Sequence, residues 1–163
     1  HGTNTPSFPS DRLGVTWSNA YRMSPQLTFD LDASYVHARF AGQSQPFVPG
    51  ALENTLVGGV TWTPSPHGIF AALHVRRLGA YPLLQNDSVR APATMVFNAD
   101  AGYHLAAGVR VQLTLLNIFN SPGDDIDYYY ASRLPGEPAA GVMDQHLHPI
   151  EPRQLRVSIS WGL

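Results

Sequence analysis

The stretch Leu27-Thr28-Phe29-Asp30-Leu31-Asp32-Ala33-Ser34-Tyr35 decides the fold, because apolar and polar residues alternate in it almost without a break. Successive side chains of a β-strand point to opposite faces, whereas apolar residues on a helix recur every three or four positions. Six further runs repeat this alternation, and they begin at Leu13, Leu56, Ile69, Phe97, Val109 and Leu155. The sequence therefore predicts an all-β chain of about seven long strands with no convincing helix.

The connections between these runs alternate between short and long. The short ones are Ser24-Pro25, Pro64-Ser65-Pro66 and Ala106-Ala107-Gly108, and the long ones cover residues 41–53, 79–92 and 120–152. An antiparallel meander places all its short turns at one end and all its long connections at the other. Outer-membrane β-barrels have this arrangement, with short periplasmic turns and longer extracellular loops. We therefore expect an open, curved segment of a transmembrane barrel, with residues 1–12 outside the cell and Leu163 in the periplasm.

The two faces of the predicted strands differ in charge. The apolar face carries almost none, and a charged side chain facing lipid at the bilayer midplane costs ~2–4 kcal/mol. The polar face collects Asp30, Asp32, Asp100, Arg76, Arg110 and Arg156. Four aromatic residues on the apolar face lie near the end of a strand that leads to a short turn or to the C-terminus, and they form half of an interfacial girdle: Tyr21, Trp62, Tyr103 and Trp161. We predict lipid-facing positions for Val15, Trp17, Leu31, Leu73, Phe97, Leu113, Val157 and Ile159.

The same alternation with the two faces exchanged describes a soluble protein. In that case the apolar rows would meet across a core, and the chain would be a small β-sandwich or a lipocalin-like ligand-binding protein. This is the alternative interpretation. A structure in which the Leu27/Phe29/Leu31 row packs against the Val111/Leu113/Leu115 row would favour it.

Composition narrows the functional classes. The 163 residues are of one-domain size, so residues 1–163 are interpreted as one unit, and only 13% of them are charged. The net charge of −2, without a basic stripe, gives no case for nucleic-acid binding. The chain has no Cys and no run of the ~18 apolar residues that a spanning helix needs. Because it begins at His1 without a signal peptide, we expect a processed product or a piece of a longer protein.

Several motifs near the end of the chain resemble the C-terminal part of TonB-dependent outer-membrane receptors. A penultimate strand ends in an Asn-hydrophobic-Phe-Asn turn, a long loop follows, and a Pro-Arg step precedes the closing strand. The stretches concerned are Leu115-Leu116-Asn117-Ile118-Phe119-Asn120, Asp127-Tyr128-Tyr129-Tyr130, Pro135-Gly136-Glu137-Pro138 and His148-Pro149-Ile150-Glu151-Pro152-Arg153. The order of the earlier strands is similar as well, so the resemblance covers nearly the whole chain.

The resemblance implies a role in energised uptake of a large nutrient, such as an iron chelate, a vitamin or an oligosaccharide, across the outer membrane of a Gram-negative bacterium. Family members have 22 strands around a plug domain; this chain has seven, no plug and no TonB box. The implied partners are therefore outer-membrane lipid, the rest of the receptor barrel and its plug, and TonB only through that plug. Seven antiparallel strands cannot close on themselves in antiparallel fashion, so we expect unpaired edges. The chain also ends Trp161-Gly162-Leu163, without the family's usual terminal aromatic residue.

The loop from Gly123 to Arg153 holds the richest polar cluster. Ligand contacts from outside the cell are predicted for Tyr128, Tyr129, Tyr130, Arg133, His146 and His148, although the tyrosines would equally suit packing of the loop. The motif Asp144-x-His146-x-His148 has metal-ligand residue types, but no second ligand motif supports it, so a solvated loop is the default. No metal site, no cofactor site and no catalytic residues are assigned. There is no Gly-x-Ser-x-Gly elbow and no nucleophile paired with a base, so the chain is not expected to be an enzyme.

Overall fold

The computed structural model describes residues 8–65, 67–105 and 108–161. Within these residues the chain is all-β, and no helix is long and apolar enough to span a membrane. The strands, in chain order, are β1 (Ser10–Ser24), β2 (Leu27–Phe40), β3 (Asn54–Trp62), β4 (Gly68–Leu78), β5 (Tyr81–Pro82), β6 (Arg90–Ala91), β7 (Thr94–His104), β8 (Val109–Leu116), β9 (Asp124–Ser132), β10 (Val142–Pro149) and β11 (Gln154–Trp161). The predicted positions of residues 1–7 and of Gly162 and Leu163 lie outside the described residues.

Seven of these strands form one antiparallel sheet, hereafter called the wall, in the order β1-β2-β3-β4-β7-β8-β11. Each wall strand pairs with the next wall strand along the chain, so the predicted meander is confirmed. The register keeps side chains of one kind together: Leu31 lies opposite Gly58, which lies opposite Val75, and Val75 lies opposite Phe97. A shift of one residue would exchange the two faces, so the alternation itself holds this register.

The wall is open. Among the described residues, β1 and β11 have no backbone pairing with each other, and each pairs on one side only. The strand β1 therefore presents an edge of 15 residues, and β11 presents one of 8. The prediction of an open sheet with two unpaired edges is confirmed.

The apolar face of the wall is exposed and does not pack into a core. Six of the eight residues predicted on the outer surface are exposed, and Leu31 and Phe97 are half-buried. Phe97 is covered by the ring of Phe119 at a centroid distance of 5.2 Å, and the Leu31 side chain reaches over the bare backbone of Gly58. The four girdle aromatics are also exposed, and they are Tyr21, Trp62, Tyr103 and Trp161.

The sandwich interpretation is wrong for the described structure. The two apolar rows that would have to face each other belong to β2 and β8, which are strands of the same sheet. On the polar face, by contrast, Phe70 and Val96 are only 7% and 5% exposed. Side chains on the polar face are therefore the buried ones, and the exposed apolar face does not form a core.

The long connections are more ordered than the sequence predicted. The sequence favours a solvated loop from Gly123 to Arg153, but β9 and β10 pair there as a hairpin from Ile126–His148 to Ser132–Val142. A second, two-residue pairing joins β5 to β6 within residues 79–93. The solvated-loop expectation is therefore wrong for the loop from Gly123 to Arg153, because backbone pairing between β9 and β10 orders it.

Candidate functional site

The long connections converge on one apolar cluster, hereafter called the cap. The cap is a hydrophobic cluster whose buried members all come from residues 79–93, and they are Tyr81, Leu83 and Ala91. Partly buried side chains from all three connections pack against it: Leu52, Val89 and Tyr129. The backbone reinforces this packing, since the N–H of Gly50 donates to the carbonyl of Pro82 at 2.8 Å. Burial of apolar surface therefore fixes three separate connections relative to one another.

Ion pairs support the cap where it meets the wall. The guanidinium of Arg90 lies 2.6 Å from Glu53 and 2.5 Å from Asp87, and it also donates to the carbonyl of Ala80 at 3.1 Å. Burial lowers the pKa of Arg90, but its hydrogen bonds to Glu53 and Asp87 outweigh that effect and raise it. The guanidinium is thus a fixed positive charge that joins the first long connection to the second.

The β9–β10 hairpin docks on this cap through one of its two faces. Asp127, only 2% exposed, donates its backbone N–H to the Tyr81 hydroxyl oxygen at 3.1 Å, and its carboxylate accepts from Gln145 Nε2 at 2.8 Å. Closer to the wall, Arg76 of β4 donates to the Asp125 carboxylate at 2.6 Å. Because Arg76 belongs to the polar face, the hairpin leans over the polar face of the wall.

Burial raises the pKa of two groups at the contact between the hairpin and the cap. Burial raises the pKa of the Tyr81 hydroxyl, and the nearby negative charge of Asp127 adds to the rise, against a lowering by the hydrogen bond from the Asp127 backbone. Burial likewise raises the pKa of Asp124, with a further rise from the charge of Asp127. The raised pKa keeps the phenol of Tyr81 neutral at physiological pH, and its oxygen accepts the hydrogen bond from the Asp127 N–H.

A buried asparagine closes the base of the hairpin connection. Asn117 is 3% exposed, and its side chain accepts from the N–H of Ser121 at 2.8 Å and donates to the carbonyls of Ser121 and Glu151 at 3.1 Å each. Its φ of +47° is one that Asn tolerates better than most residues. Three residues later, Asn120 accepts from the N–H of Arg153 at 3.0 Å. The Asn-Ile-Phe-Asn motif thus ties the two ends of the connection together.

The structure separates the residues predicted to contact a ligand. Tyr128 and His146 are opposite each other on β9 and β10, and they lie on the face of the hairpin that also carries Tyr130 and His148. Tyr129 lies on the other face and packs against the cap, so it has a packing role here. Arg133 is at the turn, where its Nε donates to the carbonyl of Glu137 at 3.1 Å.

The exposed face of the hairpin is hereafter called the platform. It comprises Ile126, Tyr128, Tyr130, Asp144, His146 and His148. The imidazole of His146 stacks on the Tyr130 ring at a centroid distance of 3.9 Å and an angle of 17°. Tyr128 is 59% exposed and Tyr130 is 50% exposed. Leu147 points to the opposite face, which leaves both histidines on the platform; even so, no metal-binding group of three His, Cys, Asp or Glu residues occurs in the described parts of the chain.

Polar side chains also line the wall below the hairpin. The Asp100 carboxylate accepts hydrogen bonds from Gln112 at 2.7 Å and from Thr114 at 2.5 Å, and His74 Nε2 lies 3.8 Å from it. The Ser18 hydroxyl donates to Asp32 on the neighbouring strand. These bonds run between adjacent strands, so they stabilise the wall and leave a hydrophilic surface on the side over which the hairpin leans.

Sequence reasoning missed the residues that position the platform. The sequence places Arg76 on the polar face without a partner and gives no role to Tyr81, while Asp127 and Asn117 appear only within the motifs that carry the resemblance. Only the Asn-Ile-Phe-Asn motif was noticeable in the sequence, because two asparagines near a strand end are typical of turns with positive φ. The Tyr81–Asp127 contact joins residues 46 positions apart, and no local pattern predicts it.

Known proteins with a similar fold were found among solved structures alone. No family model matches the chain, and no curated protein matches it. Among solved structures, the ferric yersiniabactin uptake receptor FyuA from Yersinia pestis is similar with a TM-score of 0.71 at 14% identity, over 92% of this chain and 23% of that receptor. The siderophore receptor PiuA from Acinetobacter baumannii gives 0.73 at 12% identity, over 93% and 22%. The ferric-catecholate import receptor Fiu from E. coli K12 gives 0.66 at 16%, over 92% and 20%.

These likenesses concern the fold. The chain spans about a fifth of the length of each receptor, and its open seven-stranded wall corresponds to part of a β-barrel. The resemblance to the barrel of TonB-dependent receptors is confirmed at that level.

Proposed function

We propose that this chain forms one side of an outer-membrane receptor barrel, with its long connections on the outer surface of a Gram-negative cell. The observation that carries the proposal is the inverted burial of the wall, whose apolar face is exposed while the cap and the polar face hold the buried residues. An exposed apolar face that extends across seven strands is unfavourable in water and favourable against lipid. The fold shared with solved uptake receptors supports the same interpretation.

The receptor would take up a large nutrient such as an iron chelate, a vitamin or an oligosaccharide, in an energised, TonB-linked process. The two unpaired edges call for further strands, which the rest of the receptor barrel would supply, and its plug would provide the contact with TonB. The platform would contact the ligand as it arrives from outside, through Tyr128, Tyr130, His146 and His148, with Arg133 at the turn. Nothing in this role requires a catalytic group, and the three solved structures with a similar fold are receptors.

The orientation of the wall in lipid can be tested with two neighbouring substitutions on β11. Val157 lies near the middle of the strand on the apolar face, and Ser158 lies beside it on the polar face. We expect Val157→Arg to lower the free energy of unfolding from lipid vesicles by ~2–4 kcal/mol, because it places a charge against lipid. Ser158→Arg should change this free energy by under ~1 kcal/mol. Denaturant titration in phosphatidylcholine vesicles, followed by tryptophan fluorescence, measures both.

Two results would contradict the proposal. One is an equal cost for the two arginines, because a lipid-facing and a water-facing position must differ. The other is a folded, monomeric wild-type chain in buffer without detergent or lipid, because the exposed apolar face would then be compatible with water.

A further inference from the structure

The direction of the platform follows from how the hairpin is held. The Arg76–Asp125 ion pair and the close approach of Gly123 to Thr94 fix the hairpin base above the polar face of the wall. Asp127 and Tyr129 turn the opposite face of the hairpin toward the cap. The platform therefore points away from the cap and is held there by buried contacts, so its rings need little further ordering before they meet a ligand.

A ring contact within the chain indicates what kind of group would fit the platform. The His146 imidazole lies nearly parallel on the Tyr130 ring, and its Nε2 atom is buried without a hydrogen-bond partner. A flat nitrogen heterocycle thus already occupies one tyrosine face. The neighbouring Tyr128, directly across from His146, keeps its ring exposed and offers a second face of the same kind.

The charge of the hairpin selects among flat rings. Residues 123–150 contain five carboxylates, Asp124, Asp125, Asp127, Glu137 and Asp144, and a single arginine, and one of the five, Asp125, is paired with Arg76 of β4. That arginine is at the turn and already donates to a backbone carbonyl, whereas Asp144 is exposed on the platform itself. The face of a tyrosine ring attracts cations, and a surplus of carboxylates raises their local concentration while it repels anions.

We propose that the platform binds a planar, positively charged nitrogen heterocycle, stacked on Tyr128 beside the His146–Tyr130 pair, and discriminates against anionic rings of the same shape. This inference rests on the proposed function, since it names the ligand chemistry of the same exposed site. Tyr128 supplies the stacking surface, Asp144 supplies the negative charge, and the buried contacts of Asp127 and Tyr129 hold the hairpin in place.

Three ligands with one ring system and different charge test the proposal: 1-methylnicotinamide, which is cationic, nicotinamide, which is neutral, and nicotinate, which is anionic. We expect the chain, folded in a neutral detergent, to bind the cation about two- to thirty-fold more tightly than the anion, with the neutral ring between them. Saturation-transfer NMR gives the affinities, and ring-current shifts identify the tyrosine that the probe contacts.

Variants locate the binding. Tyr128→Leu should abolish the preference for the cation, and Tyr128→Phe should retain it, because the ring and not the hydroxyl does the stacking. Asp144→Asn should weaken binding of the cation about two- to five-fold and leave that of nicotinamide unchanged. Tyr35→Leu is the matched control, since Tyr35 is 56% exposed but lies on the apolar face of β2.

Nicotinate bound as tightly as the cation, no binding of any probe, or an equal loss from Tyr35→Leu and Tyr128→Leu would each overturn the inference. None of these results bears on whether the wall folds in lipid, which the β11 arginines measure separately. A chain that folds in vesicles and fails to discriminate the probes would keep the receptor role and lose this ligand class.

Discussion

Replacing Asn117 should release the hairpin connection while leaving the wall intact. In Asn117→Ala, three side-chain hydrogen bonds disappear, to the Ser121 N–H and to the carbonyls of Ser121 and Glu151. Each bond contributes about 1 kcal/mol, and alanine at a φ of +47° costs a further ~1–2 kcal/mol. The expected loss is therefore about 4–5 kcal/mol of the free energy that keeps the connection closed.

Two further variants at the same position separate these contributions. Asn117→Gly accepts the positive φ and loses only the hydrogen bonds, so we expect a loss of about 3 kcal/mol. Asn117→Asp retains an acceptor for the Ser121 N–H but cannot donate to the carbonyls of Ser121 and Glu151, and it places a buried carboxylate beside both oxygens, so it should lose at least as much as alanine. The order of loss is thus Ala and Asp together, then Gly.

Hydrogen exchange followed by mass spectrometry in detergent is the assay. Peptides from residues 117–153 should lose protection in the order given, while peptides from β2 and β3 should exchange as in the wild type. Equal loss of protection in β2 and β3 would refute the reasoning, because the asparagine would then stabilise the whole sheet. Unchanged exchange in the alanine variant would refute it as well.

Two other perturbations probe the wall and the hairpin. Gly102→Ala would push a methyl group into the ring of Phe70 and the carbonyl of Val111, so we expect it to lower wall stability by ~1–3 kcal/mol, and to cost less in a Phe70→Leu background measured by a double-mutant cycle. Since burial raises the pKa of Asp124, its charged form opposes folding above that pKa, and this cost is lost as the pH falls below the ordinary Asp value of about 3.9. Asp124→Asn should accordingly stabilise the hairpin at pH 7 and have no effect at pH 3, as measured by thermal unfolding; stabilisation of equal size at both pH values would contradict this.

The wall could be predicted from the sequence because one physical constraint acts on every residue of a strand. Side chains alternate between the faces, and the two faces meet different surroundings, so Leu27–Tyr35 shows its two-residue period without any knowledge of its neighbours. The pairing of adjacent strands followed from the short turns. The open edges followed from the odd number of strands, since an antiparallel barrel requires an even one.

The order within the long connections could not be predicted in the same way. Tyr81, Leu83 and Ala91 are interrupted by proline, asparagine and serine, so their segment has no apolar period, and they become buried only because Leu52 and Tyr129 arrive from elsewhere in the chain. Such burial depends on contacts between residues far apart in sequence. The sequence identified residue types suited to ligand contact, but it did not show which of them would be used for packing.

Side-chain alternation along β9 determines which of the three consecutive tyrosines packs against the cap and which two stay exposed. In a loop, Tyr128, Tyr129 and Tyr130 would be equivalent; in β9 the middle ring must point opposite to its two neighbours. Tyr129 is then free to pack against the cap, and the anchoring that it provides is what keeps Tyr128 and Tyr130 facing outward. A ligand that stacks on the platform therefore meets rings whose orientation is stabilised by burial on the far side of the same strand. The orientation of the platform rings and the packing of Tyr129 are coupled through a single residue step, so a deletion or insertion within Asp124–Ser132 should disrupt the platform more severely than the loss of any one ring.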